Sequence, residues 1–222
     1  MKYKRVTLFV GHYGSGKTNL AVSYAFALRS LGHKVTVADM DIVNPYFRTK
    51  DSEAELRAAG IGLISSDFAN SNVDLPALPS ELYGVMEDRT HLAVLDVGGD
   101  DRGAYALGRF TPMIREENDY EVLFVANQYR PLTKTPQEAL AVMREIEEAG
   151  GLAVTALVNN SNLGVLTKPD TVRASQAYIA ELAALSGLPV KFTSAVRPVA
   201  EALGGLENGY FPLDLQKKYY EA

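Results

Sequence analysis

The sequence predicts an α/β fold with a mostly parallel central sheet and helices on both of its faces. Short apolar runs recur along the chain, and helical patterns with glycine-rich ends lie between them. Several runs are apolar without alternation, which is typical of parallel strands that are covered on both faces. This repetition of strand and helix indicates the α/β class. The strands are predicted at residues 6–10, 35–38, 92–95, 122–126, 153–158 and 190–192.

The helices between these strands have recognisable ends. Thr135 and Glu138 have the spacing of a capping box, with Pro136 at the first helical position and a glycine pair at 150–151 as the stop. A further helix is predicted to open near residue 168, with apolar side chains at 172, 179 and 182 turned inward. Each helix therefore has one apolar face to pack on the sheet.

Composition excludes several classes of site. The chain of 222 residues has no cysteine and three histidines, which excludes disulfides, thiolate zinc sites, cysteine-ligated iron–sulfur clusters and a cysteine nucleophile. A net charge of −5 argues against non-specific binding to nucleic acid. No apolar stretch approaches the ~20 residues of a membrane-spanning helix, and the run at 6–10 is too short for a signal-peptide core. We therefore expect a cytoplasmic protein with neither a nucleic-acid nor a membrane partner.

The segment Gly11-His-Tyr-Gly-Ser-Gly-Lys-Thr18 matches the pattern G-x-x-x-x-G-K-[ST]. A predicted strand leads into it and a predicted helix leads out, as a phosphate-binding loop requires. Glycines in such a loop let backbone N–H groups converge on phosphate oxygens, and the helix N-terminus adds a partial positive charge. We expect Lys17 to reach the β- and γ-phosphates and the Thr18 hydroxyl to ligate Mg²⁺. The residues predicted to bind nucleotide here are Gly11, His12, Tyr13, Gly14, Ser15, Gly16, Lys17, Thr18 and Asn19.

Carboxylates follow two predicted strands, at the edge where open α/β sheets bind ligands. Asp96 ends an apolar run and precedes Val97-Gly98-Gly99, the pattern of a Walker B aspartate that holds Mg²⁺ through water beside a glycine hinge. Asp39 and Asp41 end another run as Asp-x-Asp. Aspartates at strand ends are also common as caps and in turns. The pattern therefore leaves open whether Asp39 and Asp41 bind a ligand or only cap the strand.

Neither an internal repeat nor a low-complexity linker divides the chain. We expect residues 1–222 to form a single P-loop nucleotide-binding domain with an irregular insertion around 42–90, which contains a turn-rich stretch at 70–79. Insertions of this kind often carry specificity when they lie beside an active site.

Together these segments resemble the MinD/ParA-like ATPases, the group that includes the CobQ/CobB-type nucleotide-binding domains. The resemblance rests on the loop at 11–18, Asp39-Met-Asp41, Asp96-Val-Gly-Gly99 and Leu157-Val-Asn159-Asn160, and its general pattern covers most of the chain. It implies an ATPase of the P-loop class with ATP and Mg²⁺ as its cofactors.

The resemblance also implies roles for single residues. Lys17 and Asp41 are the expected catalytic residues, and Asp41 positions the attacking water. Thr18 and Asp96 hold Mg²⁺, and Asp39 supports the metal indirectly. Asn159 is expected to read adenine, and capping of the strand is its alternative role.

One departure from the family pattern concerns dimerisation. Dimeric members usually carry an early lysine in the loop that reaches the nucleotide of the partner subunit. Here His12 stands in its place and Tyr13 replaces the glycine that follows. An imidazole is shorter than lysine and mostly neutral at pH 7. A homodimer of the usual kind is therefore left open.

Three functions are compatible with these features. We favour an ATPase whose hydrolysis changes the shape of its switch segments, so that it acts on an unknown protein partner. The alternative is an enzyme that uses ATP to phosphorylate or activate the carboxylate of a small-molecule substrate, as dethiobiotin synthetase and CobQ/CobB-type amidotransferases do. A GTPase that assists metal-site assembly is less favoured, because guanine specificity generally needs Asn-Lys-x-Asp and this chain has Asn159-Asn-Ser-Asn162.

Overall fold

The computed structural model describes residues 2–41, 49–65, 81–99 and 107–216. The strands within these ranges form one eight-stranded sheet in the order β3-β2-β4-β1-β5-β6-β7-β8, and every neighbouring pair is parallel. The α/β class predicted from the sequence is confirmed. The strands are β1 (Val6–Val10), β2 (Val35–Met40), β3 (Gly62–Ser65), β4 (Leu92–Val97), β5 (Tyr120–Ala126), β6 (Ala156–Asn159), β7 (Val190–Val196) and β8 (Tyr210–Leu213).

The helices include α1 (Lys17–Ser30), α2 (Glu53–Ala58), α3 (Glu81–Glu87), α4 (Thr111–Glu117), α5 (Pro136–Gly150), α6 (Pro169–Ala174), α7 (Gln176–Ser186) and α8 (Arg197–Ala202). The predicted capping box opens α5: Glu138 N donates to Thr135 Oγ1 at 3.2 Å, and Thr135 N donates to Glu138 Oε2 at 2.9 Å. The helix predicted near residue 168 is divided into α6 and α7 at Ser175. The hydroxyl of that serine donates to Val172 O at 2.7 Å, so a side chain competes there with the helical backbone pattern.

Two apolar clusters cover the two faces of the sheet. Along β1, Val6 and Leu8 belong to one cluster and Phe9 to the other, where it meets Tyr24 of α1. These side chains are fully buried, and burying each contributes about 1.5–3 kcal/mol. Because both faces are covered, the inner strands are continuously apolar, which is the pattern read from the sequence.

Two strands at the edges of the sheet escaped prediction. β3 is four residues long and partly exposed, and β8, also four residues long, contains Pro212. Proline is tolerated at a sheet edge because an outward backbone position needs no donor. Segments this short and mixed do not produce the apolar run from which the inner strands were predicted.

Residues 42–90, predicted as an irregular insertion, are regular where the structure describes them. A 3₁₀ turn at Thr49–Ser52 leads into α2, β3 extends the main sheet, and α3 precedes β4. The segments 42–48 and 66–80 lie outside the described residues. Across the ranges that are described, no helix is long and apolar enough to cross a bilayer.

Since all these strands run in one direction, their carboxyl ends meet at one edge of the sheet. We call this the carboxyl edge. The predicted site residues lie at the carboxyl ends of β1, β2, β4 and β6 or directly after them, and the segment after β5 leaves the sheet at the same edge.

Candidate functional site

The 11–18 loop joins β1 to the N-terminus of α1. Ser15 N donates to His12 O at 3.1 Å and closes the turn. Gly16 precedes α1 with φ of 93°, in the left-handed region, and a Cβ there would collide with the side-chain amide of Asn160. The first N–H groups of a helix have no acceptor within the helix, so this turn leaves several donors for an anion.

Lys17 is the first residue of α1 and is only 6% exposed. Its Nζ donates to Gly11 O at 2.9 Å and to His12 O at 3.1 Å, so the ammonium group lies across the loop. Phosphate oxygens are anionic and would be stronger acceptors than these carbonyls.

Gly99, just beyond β4, packs against the same loop. A Cβ at this position would lie 2.6 Å from Tyr13 N and 2.8 Å from Lys17 Nζ, distances that real side chains do not tolerate. The close approach therefore requires glycine. It brings the hinge predicted after Asp96 against the lysine that is expected to bind phosphate.

The predicted carboxylates are neighbours in the sheet. Asp39 of β2 is in register with Asp96 of β4, and both side chains are buried. Asp41 N donates to Asp39 Oδ1 at 3.0 Å, so the Asp-x-Asp segment forms a tight turn after β2. Parallel pairing therefore brings the two strand ends together, although Asp39 and Asp96 are 57 positions apart in the sequence.

The two carboxylate oxygens of Asp96 differ in their contacts. Oδ2 accepts from Thr49 Oγ1 at 3.1 Å, whereas the buried Oδ1 has no hydrogen-bond partner among the described residues. Burial raises the pKa of Asp96 to about 6, and the charge of Lys17 opposes that rise. A buried carboxylate oxygen that accepts no hydrogen bond is costly, and a cation beside it would relieve that cost.

This arrangement fits a hydrated Mg²⁺ that arrives with phosphate. Mg²⁺ usually keeps several waters and is held by one or two carboxylates together with phosphate oxygens. In the described part of the chain, no group of three or more His, Asp or Glu side chains could hold a metal by itself. The residues that suit the ion are Thr18 and Asp96, with Asp39 beside Asp96 on the next strand.

A cleft of about 250 Å³ opens at the 11–18 loop. All of its described lining residues except Arg130 were predicted from the sequence to belong to the site. Asp41 lies in the wall of the same cleft as Lys17, although the sequence separates them by a helix and a strand. The described lining residues are Tyr13, Gly14, Gly16, Lys17, Thr18, Asn19, Asp41 and Arg130.

Other residues that were predicted to bind nucleotide have contacts within the protein. Gly11 and Ser15 are buried, and His12 Nδ1 donates to Tyr13 O at 2.9 Å. Asn19 Oδ1 accepts from Gln216 N at 2.9 Å, which ties the start of α1 to the segment after β8. The imidazole of His12 thus has a role inside its own loop, and a bridging role toward a second subunit stays a prediction.

Asn159 and Asn160 have different surroundings. Asn159 is fully buried, its Nδ2 donates to Ser175 Oγ at 2.8 Å, and its Oδ1 accepts from Ser161 N at 3.2 Å. Asn160 Nδ2 instead donates to Ser15 O at 2.6 Å, so this neighbour is the one that reaches the loop. Asn159 has the contacts of its alternative role as a strand cap, and adenine reading by Asn159 stays a prediction.

Sequence reasoning missed Arg130. It belongs to no phosphate-binding motif, and a single arginine in a loop carries little signal. Its position was still informative, because the loop at 127–135 follows the predicted strand at 122–126 and therefore leaves the sheet at the carboxyl edge.

No protein-family model matches the chain, and neither does any curated protein. Solved structures do match. The cell division protein FtsY from Thermotoga maritima is similar with a TM-score of 0.62 and 18% identity, over 86% of this chain and 61% of that one. The signal recognition particle receptor FtsY from Elizabethkingia anophelis, in complex with GDP, has a TM-score of 0.56 and 18% identity, over 87% of this chain and 57% of that one.

The signal recognition particle 54 kDa protein from Aeropyrum pernix, also in complex with GDP, matches with a TM-score of 0.54 and 16% identity, over 86% of this chain and 41% of that one. This chain therefore spans about three fifths of the two FtsY proteins, 61% and 57%. At such identities the likeness shows the fold alone, which is that of P-loop NTPases. It does not single out the MinD/ParA-like ATPases among them.

Proposed function

We propose that this protein is a magnesium-dependent ATPase of the P-loop class. The observation that carries the proposal is the cleft at the 11–18 loop, which Lys17, Thr18 and Asp41 line, together with the buried carboxylate of Asp96, which Lys17 and Thr18 influence. A phosphate-binding loop alone would support only an anion site. A carboxylate suited to a metal would, by itself, support only a cation site.

In the proposed reaction, water attacks the γ-phosphorus of ATP. The bond from that phosphorus to the β–γ bridging oxygen breaks, ADP leaves with the bonding electrons, and the proton of the water is released with inorganic phosphate. Asp41 accepts a hydrogen bond from the water and orients it, and Lys17 donates to the β- and γ-phosphate oxygens. Catalysis of this kind consists of positioning and charge stabilisation. Mg²⁺, when bound, neutralises part of the phosphate charge.

Preference for ATP follows from the loop after β6. Guanine presents two neighbouring donors, which a carboxylate accepts best, and a site built to bond such groups discriminates strongly. Residues 159–168 contain neither Asp nor Glu. Asn162, at the position of the carboxylate in Asn-Lys-x-Asp, accepts from Gly164 N at 3.0 Å and donates to Asn160 O at 2.8 Å. We therefore propose ATP, although two of the similar structures contain GDP.

A switch role is part of the same proposal. Gly99 packs on Tyr13 N and close to Lys17 Nζ. If a γ-phosphate draws Lys17 away from the loop carbonyls, Gly99 loses that contact, and the hinge at Gly98-Gly99 can change its conformation. The proposed switch acts on a protein partner whose identity is unknown.

Calorimetric titration of the purified protein tests the proposal. We expect ATP to bind in the presence of Mg²⁺, with GTP at least tenfold weaker, a difference of about 1.4 kcal/mol. Lys17→Ala should lose this binding. Lys34→Ala is the matched control, because Lys34 is exposed before β2, at the opposite edge of the sheet. A wild-type protein that binds neither nucleotide would overturn the proposal.

A further inference from the structure

Arg130 lies at the cleft and has a side chain without a protein partner in the described ranges. It is exposed, and it makes neither an ion pair nor a side-chain hydrogen bond with a described residue. Its Cδ and Nε lie 3.9 Å from the point where a Cβ of Gly14 would be, so the guanidinium group begins beside the backbone of the 11–18 loop. An arginine in this position has its donors available for a ligand.

The loop that carries Arg130 is held in one conformation by buried polar groups. Asn127 O accepts from Arg130 N at 3.1 Å and from Thr133 Oγ1 at 2.8 Å, and Asn127 Oδ1 accepts from Tyr129 N at 3.0 Å. Thr133 is fully buried, and its carbonyl accepts from Tyr178 OH at 2.9 Å. These bonds fix the backbone on both sides of Arg130, so the loop has little backbone entropy left to lose when Arg130 binds a ligand.

The same loop contains strained backbone. Leu132 has φ of 62°, in the left-handed region, which costs a residue with a Cβ roughly 1–2 kcal/mol. Its side chain is exposed, so apolar burial does not offset that cost. Strained positions of this kind persist where the surrounding structure determines them, and they are common at functional sites.

The charge in the cleft supports a phosphate-binding role for this arginine. Lys17 and Arg130 are the basic residues among its described lining. His12, where the resembling family has a second lysine, is bonded to Tyr13 O within its own loop. Arginine suits phosphate better than imidazole does, because it is always charged and its planar fork can donate two bonds at once.

We propose that Arg130 donates to phosphate oxygens of the bound nucleotide and stabilises, within the same chain, the charge that develops on them during hydrolysis. The proposal rests on the ATPase function proposed above. Arg130 would then be the second cationic side chain at the phosphates, beside Lys17. One copy of the chain would hold Lys17, Arg130 and Asp41 around the reacting group. Turnover then needs no residue from a second copy.

The test compares Arg130→Ala and Arg130→Lys with the control Lys134→Ala. Lys134 is an exposed cation in the same loop and is absent from the described cleft lining. We expect Arg130→Ala to bind Mg²⁺–ATP within a few-fold of wild type and to lose about 10³-fold in kcat. Arg130→Lys should recover part of that loss, and Lys134→Ala should match wild type. The kcat of the wild type should not change with protein concentration.

The outcomes separate this proposal from the ATPase function. Wild-type hydrolysis with an unchanged kcat in Arg130→Ala would overturn the role of Arg130 and leave the function intact. A weaker ATP affinity with unchanged kcat would also overturn it, because the arginine would then act in ground-state binding only. A wild-type kcat that rises with protein concentration would overturn action within one chain. A wild type that binds no nucleotide would overturn both proposals.

Discussion

The side-chain amide of Asn160 donates to the backbone carbonyl of Ser15 at 2.6 Å and joins the end of β6 to the 11–18 loop. The contact needs glycine at position 16, because a side chain there would occupy the space of the amide. Asn160 Oδ1 in turn accepts from Ser194 Oγ of β7 at 2.7 Å. The loop is thus anchored to strands on the far side of β5 as well as to its own strand and helix.

Asn160→Ala should loosen this anchor. The variant leaves the carbonyl of Ser15 without its donor, which costs about 1–3 kcal/mol, and the mobile loop should bind ATP roughly tenfold more weakly. Chemical denaturation and calorimetric titration measure the two effects. Asn208→Ala, a change of the same kind in the exposed turn before β8, serves as the control. Unchanged ATP affinity in Asn160→Ala would contradict the anchoring role.

Asp96→Asn should stabilise the protein at neutral pH. The pKa of Asp96 is raised to about 6 in the folded state by burial, against about 3.9 in an unfolded chain. Between these values the folded protein holds a proton that the unfolded chain has released, so this group costs stability as the pH rises and the cost is complete above pH 6. The asparagine variant removes that cost, which is up to about 3 kcal/mol.

The stability advantage of Asp96→Asn should therefore be greatest above pH 6 and should vanish as the pH falls towards 4. Urea unfolding across this range measures it, with the exposed Asp170→Asn as the control. The same variant should lose Mg²⁺-dependent ATP binding. A variant less stable than wild type at pH 7.5 would show that the ionised carboxylate of Asp96 does not destabilise the folded protein.

Gly99→Ala should impair nucleotide binding through contact with the loop. The added methyl group would lie 2.6 Å from Tyr13 N, so either the loop or the segment after β4 must move. We expect ATP affinity to fall at least tenfold, about 1.4 kcal/mol. Gly108→Ala is the matched control, because a Cβ at Gly108 meets no atom within 4 Å. Equal affinities of the two variants would remove the proposed coupling between the hinge and Lys17.

Asn159→Ala and Ser175→Ala should lose similar amounts of stability. Each removes the buried bond between Asn159 Nδ2 and Ser175 Oγ, at about 1 kcal/mol. Thermal unfolding measures that loss, and titration with ATP and GTP measures base preference. A change of the ATP-to-GTP ratio in Asn159→Ala alone would identify Asn159 as the reader of adenine that the family resemblance implies. If both variants have the same ratio of ATP to GTP affinity, Asn159 acts as a structural cap.

The inner part of the sheet and the cleft at the loop were predictable for a physical reason. Parallel strands are apolar throughout, and their ends must share an edge, so Asp39, Asp96 and the 11–18 loop were expected to meet before any contact was known. β3 and β8 were not predictable in this way, because a four-residue edge strand needs no continuous apolar run. Arg130 was missed because a single arginine in a loop matches no phosphate-binding motif, although the predicted strand before it already indicated that its loop lies at the carboxyl edge.

The measurement that tests the central claim most directly is phosphate release from ATP by the wild-type protein, with and without Mg²⁺. Lys17→Ala and the control Lys34→Ala should be assayed beside it. We predict hydrolysis that requires Mg²⁺, is lost in Lys17→Ala and is retained in Lys34→Ala. Release that continues without Mg²⁺, or that is equal in the wild type and Lys17→Ala, would contradict the assignment of this cleft as the site of ATP hydrolysis.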